Sequence, residues 1–104
     1  MRKPAHPGQI LLDGFIEPNN IKISTLATHL GFSRETLSRV LHGKSPMTAN
    51  LALSLEEAGI STARLWLNLQ TKYDLWLLKQ ARKKSVLPIA FLMEQSNASI
   101  QSYP

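Results

Sequence analysis

Apolar residues along the chain recur at intervals of three and four, and glycine, proline or polar clusters interrupt them at short distances. After Pro7 and Gly8, Leu11, Leu12, Phe15 and Ile16 repeat at helical spacing until Pro18 stops the run. Beyond Asn19-Asn20, Ile23, Leu26, Ala27 and Leu30 share one side of a second short helix. Gly31 suits the left-handed position that ends it. Ser33 then caps a third helix from Arg34 to about Leu41, its side-chain oxygen accepting an otherwise orphaned backbone N–H, and Gly43 closes it. A fourth helix follows Pro46, with Thr48 as its cap and Leu51, Leu55 and Ala58 turned inward, and Gly59 ends it. Ser61 or Thr62 opens the fifth and longest, ARLWLNLQTKYDLWLLKQARKK. No strand-length alternation survives, so the expected fold is all-α. The pattern divides into residues 1–84, a five-helix unit with an extended fifth helix, and residues 85–104, an apolar segment with a tail. The final stretch, QSNASIQSYP, is expected to be mobile.

The third helix has two unlike faces. At about 100° per residue, Leu37, Val40 and Leu41 lie together while Glu35, Ser38, Arg39 and His42 point the other way, with Thr36 on the flank. Arg34 sits in the first turn, where its side chain reaches past the helix end. A narrow apolar back with an outward face of groups able to meet base edges is the shape of a DNA recognition helix. The preceding short helix and glycine turn complete a helix-turn-helix. The competing reading makes Glu35 and Arg39 an i,i+4 pair on an ordinary solvated helix. The loop His42-Gly43-Lys44-Ser45 favours DNA: Lys44 and nearby backbone N–H groups would stand where a phosphate runs beside the groove. Lys22 and Ser24, opening the second helix, are placed for the backbone of the other strand.

Charge sharpens this picture. The 104 residues carry a formal charge of +5, which favours an acidic partner. Between Ile21 and Met47, Lys22, Arg34, Arg39 and Lys44 are opposed only by Glu35. A second basic run holds Lys79, Arg82, Lys83 and Lys84 without an acid.

Other chemistry finds little support. Without cysteine there is no disulfide, thiolate metal site or cysteine nucleophile. His6, His29 and His42 are too far apart for a helical metal pair, and the acids form no constellation for acid–base work. Ser24 and Ser38 lack a visible His-Asp arrangement, and no phosphate-binding glycine loop is present. The expectation is a binding protein with no catalytic residue, metal or cofactor. No apolar run reaches membrane-spanning length, and Pro4, Pro7 and Asp13 interrupt any signal-like core, so a cytoplasmic location is expected.

The phrases HPGQILLDGFIEP, LATHLGFSRETLSRVLHGK, MTANLALSLEEAGIS and WLNLQTKYDL, in this order and spacing, resemble HigA-type antitoxins. These are a branch of the helix-turn-helix XRE family that includes phage repressors, and the resemblance runs from about His6 to Leu75. It implies a phage-repressor-like five-helix DNA-binding domain, usually dimeric, that represses its own operon. It also implies a HigB-type toxin partner, a small ribosome-associated mRNA endonuclease. Carried over by position, base-edge contacts fall on Arg34, Glu35, Thr36, Ser38 and Arg39. Phosphate contacts fall on Ser24, Ser33, His42 and Lys44. The chain departs from the family pattern at Ile23, where glutamine is common, and at Thr36, Arg39 and His42, where arginine, glutamate and asparagine are frequent. The nearest alternative is a free-standing repressor without a toxin.

On the fifth helix, Trp66, Leu69, Tyr73 and Trp76 make one apolar seam, expected to pack on the first four helices. Leu67, Leu75 and Leu78 fall on nearly the opposite side and need a second surface to cover them. That surface is expected to be a homodimer contact or a seat for the toxin. Two symmetric recognition helices would read a palindromic operator in double-stranded DNA, with half-sites about 34 Å apart or a multiple of it. Pro88 is placed to begin another helical turn in SVLPIAFLM.

Overall fold

The computed structural model describes residues 2–95, with the backbone only of Gln95. These residues form helices and no strand. α1 (Pro7–Leu11) runs on into a π-helical stretch (Leu12–Ile16), followed by α2 (Ile23–Leu30), α3 (Arg34–Leu41), α4 (Ala49–Glu57), α5 (Ala63–Ala81) and α6 (Ile89–Gln95). Of the expected mobile tail, Gln95 ends α6 and the other residues lie outside the described ones.

The side-chain caps sit where the sequence places them. Ser33 Oγ accepts the Thr36 N–H at 3.1 Å, and Thr48 Oγ1 accepts the Leu51 N–H at 3.2 Å. Of the two candidates at the start of α5, Thr62 is the cap, accepting the Leu65 N–H at 3.1 Å. Gly31 takes φ 83°, the left-handed conformation that lets α2 stop and α3 start across so short a turn.

The first helix departs from the simple periodic reading. Leu11 and Ile16 are both buried, although five α-helical residues would set them roughly 140° apart. The π-helical stretch resolves this: the Glu17 N–H donates to the Leu12 carbonyl at 2.9 Å, a widened turn that brings both side chains inward. Gly8 packs on α3 so closely that a Cβ would overlap the Val40 carbonyl. In α4, Ala58 is an exposed C-cap rather than a core residue, and Ala52, fully buried, takes the inward place.

The core joins Leu11 and Ile16 to Leu26, Leu37, Leu41, Leu51, Leu55 and Trp66. Leu37 and Leu41 anchor α3, and each such burial is worth about 2 kcal/mol relative to exposure. Trp66 Nε1 donates to the Ile60 carbonyl at 2.8 Å. Along α5 the expected seam is buried at Trp66 and half-buried at Leu69, Tyr73 and Trp76, while Gln70, a polar residue, is buried among them. The helix ends at Ala81, part-way through the basic run, where Arg82 turns extended at φ −71°, ψ 131°. The remaining cations lack buried apolar neighbours to hold them helical. From Val86 to Met93 the large apolar side chains are exposed. The radius of gyration is 19.9 Å, against about 13 Å for a compact chain of this size. The end of α5 and α6 therefore extend away from the body.

Candidate nucleic-acid interface

Once Leu37, Val40 and Leu41 are buried in the core, the opposite side of α3 faces outward. Arg34, Glu35, Thr36 and Arg39 are exposed, and Ser38 is half-buried. The side chains are partly pre-ordered. Ser33 Oγ, besides capping the helix, donates to Thr36 Oγ1 at 2.8 Å, so its hydrogen is engaged and the Thr36 hydroxyl is left to donate outward. The His42 ring folds back over Ser38: Nδ1 donates to the Ser38 carbonyl at 2.8 Å and lies 3.3 Å from its hydroxyl. In that tautomer Nε2 faces away as an acceptor, so a bond from His42 to a phosphate requires the doubly protonated ring.

Arg39 does not lean toward Glu35. Its Nε donates to Ser45 Oγ at 3.1 Å, laying the guanidinium along the loop that leaves α3. That loop differs from expectation in one respect. The N–H groups of Lys44 and Ser45 donate to the Arg39 carbonyl at 2.8 and 3.2 Å, and that of Gly43 to Val40 at 3.0 Å. The backbone donors are spent on the end of the helix, leaving the exposed Lys44 ammonium to meet an anion. On the other flank, Lys22 and Ser24 are exposed at the start of α2, with Lys22 as its extended N-cap. Ile23 is half-buried against the core.

Two residues passed over as site candidates hold the loop from behind. His6, 7% exposed, accepts the Gly8 N–H on Nδ1 at 2.9 Å, capping α1, and its other edge faces the Ser45 carbonyl. Burial lowers its pKa, outweighing the attraction of Asp74 and the Ser45 carbonyl. Gln70 Oε1 accepts the buried Met47 N–H at 2.7 Å, while its Nε2 donates to Asp74 at 2.8 Å. The phrase His6-Pro7-Gly8 carried a signal for the first residue, as a polar side chain ahead of a Pro at N1. Nothing in the apolar spacing of α5 marked Gln70.

The proposed partner residues divide. Leu67 is half-buried and packs against the core, because it lies in the part of α5 covered by α4. Leu75 and Leu78 are 49% and 53% exposed. Beside Leu75, a groove between residues 2–5 and α5 is lined by Arg2, Lys3, Lys72, Lys79 and Trp76, and Trp76 Nε1 is buried without a hydrogen-bond partner. Among the described residues, no group of three His, Asp or Glu side chains is placed to hold a metal ion. No helix among them is long and apolar enough to cross a membrane.

No protein-family model matches the chain. It is 40% identical over 82 residues to an uncharacterized HTH-type transcriptional regulator of Haemophilus influenzae, covering 79% of this chain and 77% of the relative. It is 36% identical over 98 residues to antitoxin HigA-1 of Vibrio cholerae, covering 91% and 92% of the two chains. Its backbone is similar to a Pseudomonas aeruginosa protein solved in complex with its 18 bp operator DNA, with TM-score 0.76, 30% identity, and 85% and 98% of the two chains covered.

Proposed function

Because the chain belongs to the HigA antitoxin family of helix-turn-helix regulators, we propose that it is a DNA-binding antitoxin that represses its own operon and neutralises a HigB-type toxin. The observation that carries the DNA half is the outward face of α3, with Arg34, Glu35, Thr36 and Arg39 exposed above a buried apolar back. In this reading those residues and Ser38 meet base edges. Lys22, Ser24 and Lys44 meet phosphates, as does His42 when doubly protonated; Ser33 serves first as the cap. The operator-bound Pseudomonas aeruginosa relative supports a duplex as the ligand.

The partner half rests on apolar surface. Leu75, Leu78 and the large apolar residues from Val86 to Met93 are exposed, and apolar surface of this extent marks an association surface. We place the homodimer there, spacing two recognition helices over a palindrome by about 34 Å or a multiple. The toxin would be a small mRNA endonuclease acting at the ribosome, and the protein would work in the cytoplasm without a catalytic centre of its own. A second reading, a free-standing repressor, is favoured by the Haemophilus influenzae relative being named a transcriptional regulator.

Fluorescence anisotropy with the DNA upstream of the protein's own reading frame tests the first half. Preference over a shuffled duplex, weakening steeply with salt, is expected; equal binding to both duplexes rejects operator recognition. Co-expression with the product of a neighbouring short reading frame separates the two readings. Co-purification supports the antitoxin, and operator binding with no associating neighbour leaves the repressor.

A further inference from the structure

We propose that His6 is a positioning residue for DNA binding, tying the start of α1 to the loop that presents Lys44 to the phosphate backbone. The inference rests on the DNA-binding reading and names a residue remote from the outward face of α3. The Gly8 N–H occupies Nδ1 at 2.9 Å, so the ring hydrogen belongs on Nε2. That edge faces the Ser45 carbonyl, and the two residues line one cleft with Gly43 and Tyr73. Ser45 is also the residue whose hydroxyl receives Arg39 Nε at 3.1 Å. One side chain thus reaches the point where an expected base contact and an expected phosphate contact converge.

The ring has little freedom to leave. It stands edge-on to Tyr73, with centroids 5.0 Å apart and planes at 78°, and Gly43 lies against its other side. On the same loop, the Met47 N–H is held by Gln70 at 2.7 Å. The segment is therefore met by the His6 ring along Gly43 and Ser45 and held at Met47 from α5, with Lys44 between them.

A proton would undo the cap that holds the ring in place behind that first contact. It must go to Nδ1, where the Gly8 N–H already points, setting donor against donor. The charged and titratable groups around the ring are Asp74 and Tyr73 on α5, Lys44 on the loop, Lys3 beside the Tyr73 ring at 5.7 Å, and His42 at the end of α3. Asp74 favours the charged ring and the two lysines oppose it, while burial lowers the His6 pKa below its ordinary value. The sign follows. The unfolded chain takes up this proton first, so the folded arrangement is fully favoured above about pH 6.5 and loses ground as pH falls below that value toward the lower folded pKa.

Two substitutions separate cap from tether. His6→Asn keeps an acceptor for the Gly8 N–H but is too short to reach Ser45. His6→Gln can place its amide donor near the position of Nε2 but caps poorly. Operator affinity, its salt dependence and thermal stability would be measured for the wild type and both variants between pH 7.5 and 5.5. His6→Asn is expected to fold stably, bind about fivefold more weakly and lose nearly one unit of salt slope, the loss of about one phosphate contact. His6→Gln should recover affinity at a lower melting temperature. The fall of wild-type affinity in acid should vanish in both variants, which carry no titratable group at this position. If His6→Asn binds the operator with wild-type affinity, slope and pH profile, the tether is overturned while the DNA reading stands. If the wild type shows no preference for the operator, the DNA reading fails and His6 is reduced to a helix cap.

Discussion

Arg39 and Lys44 are five residues apart and meet the same loop, yet different work is expected of them. Arg39 leans on Ser45 through Nε, which steadies the guanidinium while leaving its terminal nitrogens for a base edge. Arg39→Ala is expected to weaken operator binding by about 1–3 kcal/mol and to relax preference at one base position. Competition among single-base operator variants checks this; uniform weakening across them would make Arg39 a phosphate contact. The Lys44 backbone N–H is already bound to Arg39, so only the ammonium faces outward. Lys44→Ala should lower affinity for every sequence alike and flatten the salt slope by about 0.9. An altered base preference in a titration series would exclude that role. At this scale the sequence was legible where a side chain acts on its own neighbours: the Ser33, Thr48 and Thr62 caps follow from local chemistry. It was opaque where a residue acts across the fold. His6 caps α1 locally but packs on Tyr73 and Gly43 only through the tertiary fold, and Gln70 reaches Met47 across 23 residues of chain.

Among the elements, the contact between α1 and α3 decides how the recognition helix is held. Gly8 sets α1 against the backbone of Val40 with no room for a methyl group. Gly8→Ala is therefore expected to destabilise the fold by about 1–3 kcal/mol through overpacking, despite alanine's better helix propensity. Chemical denaturation measures it, and a variant as stable as the wild type would mean that α1 shifts freely on α3. Helical spacing revealed α2 to α5 because each presents a regular apolar stripe. It described α1 less well, since Leu11 and Ile16 reach the same core only through a π-helical stretch that an even 100° rule does not contain. It also overstated α5 at both interfaces. Leu67 is claimed by the core, and the last cations of the run lie beyond the helix end at Ala81.

At the scale of the whole molecule, a packed body carries an apolar extension. Leu75 and Leu78 stand on α5 beyond the region covered by the body, and Leu87, Ile89 and Leu92 continue the exposure. Leu75→Glu combined with Leu78→Glu is expected to abolish self-association, to disrupt toxin capture, or both, without unfolding the body, because neither side chain belongs to the core. Light scattering and toxin pull-down together read the result; unchanged mass with intact capture would remove this surface from consideration. Which molecule covers these residues is not written in one chain's periodicity, since an apolar stripe specifies burial but no partner. The elongation itself bears on how such measurements are made. A particle 63 Å long and 20 Å across at its narrowest has more friction than a sphere of its 11.6 kDa mass. It would leave a sizing column early, and a single copy judged by elution volume would pass for a pair. Chains have to be counted by a method blind to hydrodynamic shape.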